Sequence, residues 1–168
     1  SASTAGVSGV LFSIDTKTGN SVPLLSAAGL TAIGDKTLSK IFYQVVGDFR
    51  RTYIYDIKTG LAMGLSYDPQ PEQCLWSKIS SITLYCAAAI TGTPINYLDL
   101  RHMGLTNIPN NILSYNIRTG APIILAVPGG KDGGEQADIA EMSISADDKY
   151  LIYIRKGDRS LWAVRLTQ

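Results

Sequence analysis

A five-residue turn recurs three times along this chain and limits what the chain can fold into. Asp15-Thr16-Lys17-Thr18-Gly19, Asp56-Ile57-Lys58-Thr59-Gly60 and Asn116-Ile117-Arg118-Thr119-Gly120 each follow a short run of β-forming residues. The leading Asp or Asn can bond the turn backbone through its side chain, and the closing Gly accepts the positive φ of a tight hairpin. The step from Gly19 to Gly60 falls within the ~40–45-residue period of a repeated four-stranded sheet. The step to Gly120 is longer by roughly one hairpin on the same period.

A second element repeats in phase with the turn. SKIFYQVV, SITLYCAA and KYLIYIRK align on Tyr43, Tyr85 and Tyr153. These runs are almost continuously apolar, which predicts strands covered on both faces, as in sheets stacked on one another. The predicted fold is all-β, with antiparallel four-stranded blades of a β-propeller. Residues 1–9 read as a flexible lead-in and 10–168 as the repeat domain. Within it lie a half-blade at 10–26, a blade at 31–66, an enlarged blade at 72–127 and a terminal blade at 139–167. The half-blade supplies the third and fourth strands of a unit and the terminal blade its first three. Simple closure would leave a strand over, so the ring is expected to be incomplete or part of a larger one.

Composition narrows the function classes. Fifteen Lys and Arg stand against fourteen Asp and Glu, so no strong field favours nucleic acid or anionic lipid. No apolar run approaches the ~20 residues needed to span a bilayer, and no membrane insertion is expected. The chain opens on SASTAGVSG rather than on Met, which suggests a processed or excised piece.

Cys74 and Cys86 bracket LWSKISSITLY. If Trp76–Lys78 pairs with Ile82–Leu84 across a turn at Ile79–Ser81, the two cysteines fall opposite one another on adjacent strands, within reach of a disulfide. The alternative is a pair of buried thiols. A bridge would imply an oxidising, extracytoplasmic compartment: periplasm, cell surface or medium.

The segment Ser145-Ala146-Asp147-Asp148-Lys149-Tyr150-Leu151, followed by Ser160-Leu161-Trp162, resembles the S-P-D-G-K-x-L…L-W repeat of TolB-like, WD-related β-propellers. Ala146 and Asp148 replace the Pro and Gly of that pattern. Pro71, Glu72, Cys74, Trp76, Ser77 and Lys78, with Leu84, Tyr85, Cys86 and Ala87, are similar to a segment of bacterial envelope proteins built from such repeats. The resemblance implies a fold and a compartment and no reaction, since such propellers mostly serve as protein-binding scaffolds.

Chemistry is hard to place. His102, with Asp99 three residues before it, is the one imidazole available to a hydrolytic triad, and no G-x-S-x-G elbow accompanies it. The Gly-rich run from Pro128 to Asp138 lacks the order of a phosphate loop or an EF-hand and reads as a connection. Asp147 and Asp148 read as turn residues. No metal or cofactor is expected. Arg50 and Arg51 read as a solvated hairpin tip, with docking of an acidic partner as the alternative. The insertion from Ile90 to Asn111 is the favoured binding element, through Tyr97, Arg101, His102 and Met103. Against that, Leu98 to Arg101 resembles a degenerate copy of the recurring turn, which predicts an ordinary hairpin. The expected function is therefore a non-catalytic extracytoplasmic module that meets an envelope or surface protein, or a surface polymer. The alternatives are a fragment of a carbohydrate-active or peptide-hydrolysing enzyme, and a structural surface-layer component.

Overall fold

The computed structural model describes residues 6–66, 68–89, 92–129 and 136–166. Their strands form four antiparallel sheets, each made of consecutive strands. The first sheet pairs β1 (Ser8–Ile14) with β2 (Ser21–Ala28). The second runs β3 (Thr31–Gly34), β4 (Lys40–Val46), β5 (Arg50–Asp56) and β6 (Leu61–Gly64). The third runs β7 (Cys74–Trp76), β8 (Thr83–Ala89), β9 (Asn110–Asn116) and β10 (Pro122–Ala126). The fourth runs β11 (Ile139–Ile144), β12 (Tyr150–Arg155) and β13 (Leu161–Arg165).

The recurring turn behaves as its residues dictate. Asp15, Asp56 and Asn116 each accept a backbone N–H of their own turn through Oδ1, from Lys17 (2.8 Å), Thr59 (3.0 Å) and Arg118 (2.9 Å). Gly19, Gly60 and Gly120 close the three turns with φ of 74°, 71° and 67°. Such values cost a side chain roughly 1–2 kcal/mol through contact of Cβ with the backbone.

The turn between the first two strands of a sheet is a second module, and its length sets which way the side chains face. Asp35 N–H reaches Lys40 O and Ser145 N–H reaches Tyr150 O, five residues on, whereas Ser77 N–H reaches Thr83 O, six on. The extra residue shifts β8 by one against β4 and β12, and a one-residue slip exchanges the two faces of a strand. Cys86, not Tyr85, therefore occupies the place of Tyr43 and Tyr153. The alignment on three tyrosines holds in sequence and fails by one position in space.

With that register β8, an inner strand of the third sheet, has both faces buried. Leu84, Cys86, Tyr115 and Ile117, with Cys74 and Trp76 of β7, pack against Phe42 and Ile54 of the second sheet. Tyr85, Ala87 and Ile112 pack against Ile139, Leu151 and Tyr153 of the fourth. This explains why TLYCAA carries no polar alternation. The indole N–H of Trp76 also donates to Ile33 O across the first of these interfaces (3.3 Å).

Among the described residues the stack is not closed into a ring. β1 pairs with β2 and β13 with β12, and neither joins the other end of the stack. Val10, Phe12 and Ile14 on the outer face of the first sheet stay exposed, as do Tyr150, Ile152 and Leu161 on that of the fourth. What is established is an all-antiparallel fold of repeated, stacked sheets, two of them four-stranded.

Candidate functional site

Cys74 lies opposite Cys86 in the β7–β8 ladder, and the two are joined by a disulfide. The bridge is buried between the second and third sheets beside Trp76 and Leu84. It fastens the hairpin that begins the third sheet, just after a single 3-10 turn at Pro71–Gln73.

A second fastening joins the third and fourth sheets. Asp148 takes the glycine place of its turn at φ 56° and is fully buried. Its carboxylate accepts a hydrogen bond from Ser77 Oγ and another from Lys78 N (2.9 Å), both in the β7–β8 turn. Asp147 keeps the expected local role. Its pKa falls to about 2 because Ser145 Oγ and Lys149 N donate to it. The pair thus divides: one aspartate builds its own turn, and the other reaches into the next sheet. Burial, reinforced by the Asp148 charge and hydrogen bond, pushes the nearby Tyr85 hydroxyl above its ordinary value.

The insertion after β8 holds α1 (Tyr97–His102), a helix where the sequence predicts a hairpin. No β-branched residue occurs in YLDLRH, and the i,i+4 spacing places Tyr97 under Arg101, whose guanidinium donates to the Tyr97 hydroxyl (3.2 Å). Arg101 also donates to Asp138 and to Ile139 O. Lys156 approaches the same buried carboxylate at 3.5 Å and donates to Thr106 O (2.6 Å). One buried acid with two cations therefore ties the insertion to the fourth sheet.

The four residues singled out from sequence separate accordingly. Tyr97 and Arg101 turn inward as the helix anchor. His102 is exposed and pairs through Nε2 with Glu72 Oε2 (2.9 Å), and Met103 is exposed. Ile95 and Leu105, not anticipated from sequence, are exposed at the two ends of the helix.

Arg50 is not part of a solvated tip. Its Nε lies 3.0 Å from Asp68 Oδ2, its Nη2 donates to Thr93 O (2.9 Å), and its side chain is largely buried, while Arg51 is exposed. Gln44, fully buried, donates to the other Asp68 oxygen (2.8 Å). Burial raises the Asp68 carboxyl pKa, against the pull of Arg50 and Gln44. Arg50 and Asp68 also line an open cleft of about 570 Å³ between the second and third sheets. The Gly-rich connection lies, from 130 to 135, outside the described residues. Among the described residues, no group of three or more His, Cys, Asp or Glu is gathered as metal ligands.

Comparison with solved structures finds this arrangement again at low sequence identity. The crystal structure of TolB from Acinetobacter baumannii superposes with a TM-score of 0.57 at 15% identity, over 95% of this chain and 37% of that one. The tricorn protease gives a TM-score of 0.44 at 9% identity, over 94% of this chain and 23% of the other. The chain thus spans little more than a third of the TolB structure. No family model and no curated protein matches it. The class defined by fold is stacked antiparallel sheets of the kind found in part of TolB.

Proposed function

We propose that this chain is a non-catalytic extracytoplasmic module, built of propeller blades, that binds another protein of the envelope or cell surface through the insertion between β8 and β9. The observation that carries the reading is a set of exposed apolar side chains, Ile95, Met103 and Leu105, flanking a short helix held from beneath by Arg101, Asp138 and Lys156. Exposed apolar side chains on a loop held by a rigid frame are the usual makings of an interface. Three features support the rest. The disulfide fits an oxidising compartment. The first strand of the third sheet, β7, adjoins both β3 and β11, as strands around a common axis would. The outer faces of the end sheets also carry the kind of residue that is buried between the inner ones, so that further sheets would cover them.

The test is a photocrosslinking residue placed at Met103, with a second at Thr18 as control, in the protein incubated with envelope extract. A discrete adduct at 103 alone, abolished by Leu105→Lys in a protein of unchanged unfolding midpoint, is expected. Equal labelling at both positions, or none at 103, would contradict the reading.

A further inference from the structure

The cleft between the second and third sheets contains polar groups that the protein itself leaves unmet. Arg50 is held on two sides, by Asp68 and by Thr93 O, which fixes its guanidinium. Its remaining nitrogen, Nη1, is buried without a partner, and its side chain is only 11% exposed. Gln70, 4% exposed, has an unpartnered Oε1, and Asn111 an unpartnered Oδ1. All three residues line the same cleft. Leaving such groups unbonded is costly, so a site that gathers three is organised for something that bonds them.

The chemistry of the occupant follows from what is offered. Asp68 neutralises Arg50, so the polar lining carries no net charge to hold an anion. It presents one fixed donor beside two carboxamides. Two successive peptide groups of an extended chain meet that set, a C=O accepting from Arg50 Nη1 and two N–H groups donating to Gln70 Oε1 and Asn111 Oδ1. On the same sheet face as Asn111, Ala88, Leu113, Pro122 and Ile124 also line the cleft, and this aliphatic surface suits a small apolar side chain. Pro122 and Ile124 belong to β10, the edge strand of the third sheet, along which an extended chain can lie.

We propose that this cleft is a binding site for a short, uncharged, extended peptide segment whose main-chain amides are held by Arg50, Gln70 and Asn111. It rests on the reading of the chain as a protein-binding module, and adds a site separate from the exposed apolar side chains of the insertion.

The experiment is an NMR titration of the isotope-labelled whole chain with N-acetyl-leucine methylamide, run beside acetate and maltose. Saturable shifts of the Gln70 and Asn111 side-chain amides and the Arg50 guanidinium with the amide probe alone are expected. Gln70→Leu and Asn111→Leu should each weaken that binding about tenfold, the loss of one hydrogen bond. Neither should lower the urea midpoint, because each removes an unmet buried group. Absence of saturable shifts, stronger shifts with acetate or maltose, or a lowered midpoint in both variants would overturn the proposal. Crosslinking at Met103 does not pass through this cleft, so failure here and failure of the interface reading are told apart.

Discussion

Leu38 and Asp148 occupy the same place in two copies of one turn, with φ of 53° and 56°, yet they call for opposite treatment. The Leu38 side chain is exposed, so Leu38→Gly should gain roughly 1 kcal/mol by relieving the left-handed backbone. Asp148→Gly relieves the same strain but strips Ser77 and Lys78 of a buried acceptor, and should lose about 1–3 kcal/mol net of the gain. Urea denaturation of the two variants checks both signs. Titration of Tyr85 gives a second readout, since its raised pKa should move back toward the ordinary value once the Asp148 charge is gone. The sign for stability follows. A tyrosine raised in the folded state contributes fully below the unfolded value near 10 and loses that contribution as pH rises through the folded value. The turn role of Asp147 was legible from its sequence. That of Asp148 was not, because an aspartate in a glycine's place reads as a weakened turn until the neighbouring sheet supplies the donors.

Single elements show where sequence patterns carry and where they stop. The β7–β8 hairpin was legible, disulfide included, because cross-strand pairing follows from residue spacing once the turn is placed. Its phase against the other hairpins was not. The extra turn residue between Ser77 and Thr83 changes the facing of β8 without altering the apolar run that marks it as a strand. The insertion failed differently. Leu98 to Arg101 imitates the recurring turn, but the bond of Arg101 to Tyr97 and its contacts with Asp138 and Ile139 favour a helix, and these partners lie on another sheet. Arg101→Ala leaves Asp138 buried with Lys156 as its remaining ion-pair partner. Removing one member of such a buried cluster costs about 3–5 kcal/mol. The expected result is faster amide exchange across α1 and at Ile139, with β4 and β5 protected as before. Unchanged exchange in α1 would mean that the cluster does not hold the helix.

At the scale of the whole molecule the repeat in the sequence becomes a repeat of interfaces. The third sheet meets the second and the fourth through opposite faces of the same strands, so β8 must be apolar on both sides, while β1, β12 and β13 turn one face outward. For β4 and β8 this much was legible from their continuous apolar runs, but β12 carries a similar run and is covered on one face alone, with Tyr150 and Ile152 exposed on the other. The open ends were legible only as a strand count that does not close, and the cleft was not legible at all. Arg50, Asp68, Gln70 and Asn111 are spread over two sheets and a loop, and no local pattern marks them as neighbours. The measurement that bears most directly on the stacked arrangement is a set of nuclear Overhauser contacts from two adjacent residues of β8. Leu84 should contact the Phe42 ring and the Ile54 methyls, and the Tyr85 ring should contact the Leu151 methyls. The reverse pattern, or contacts from both residues to one neighbouring sheet, would contradict it.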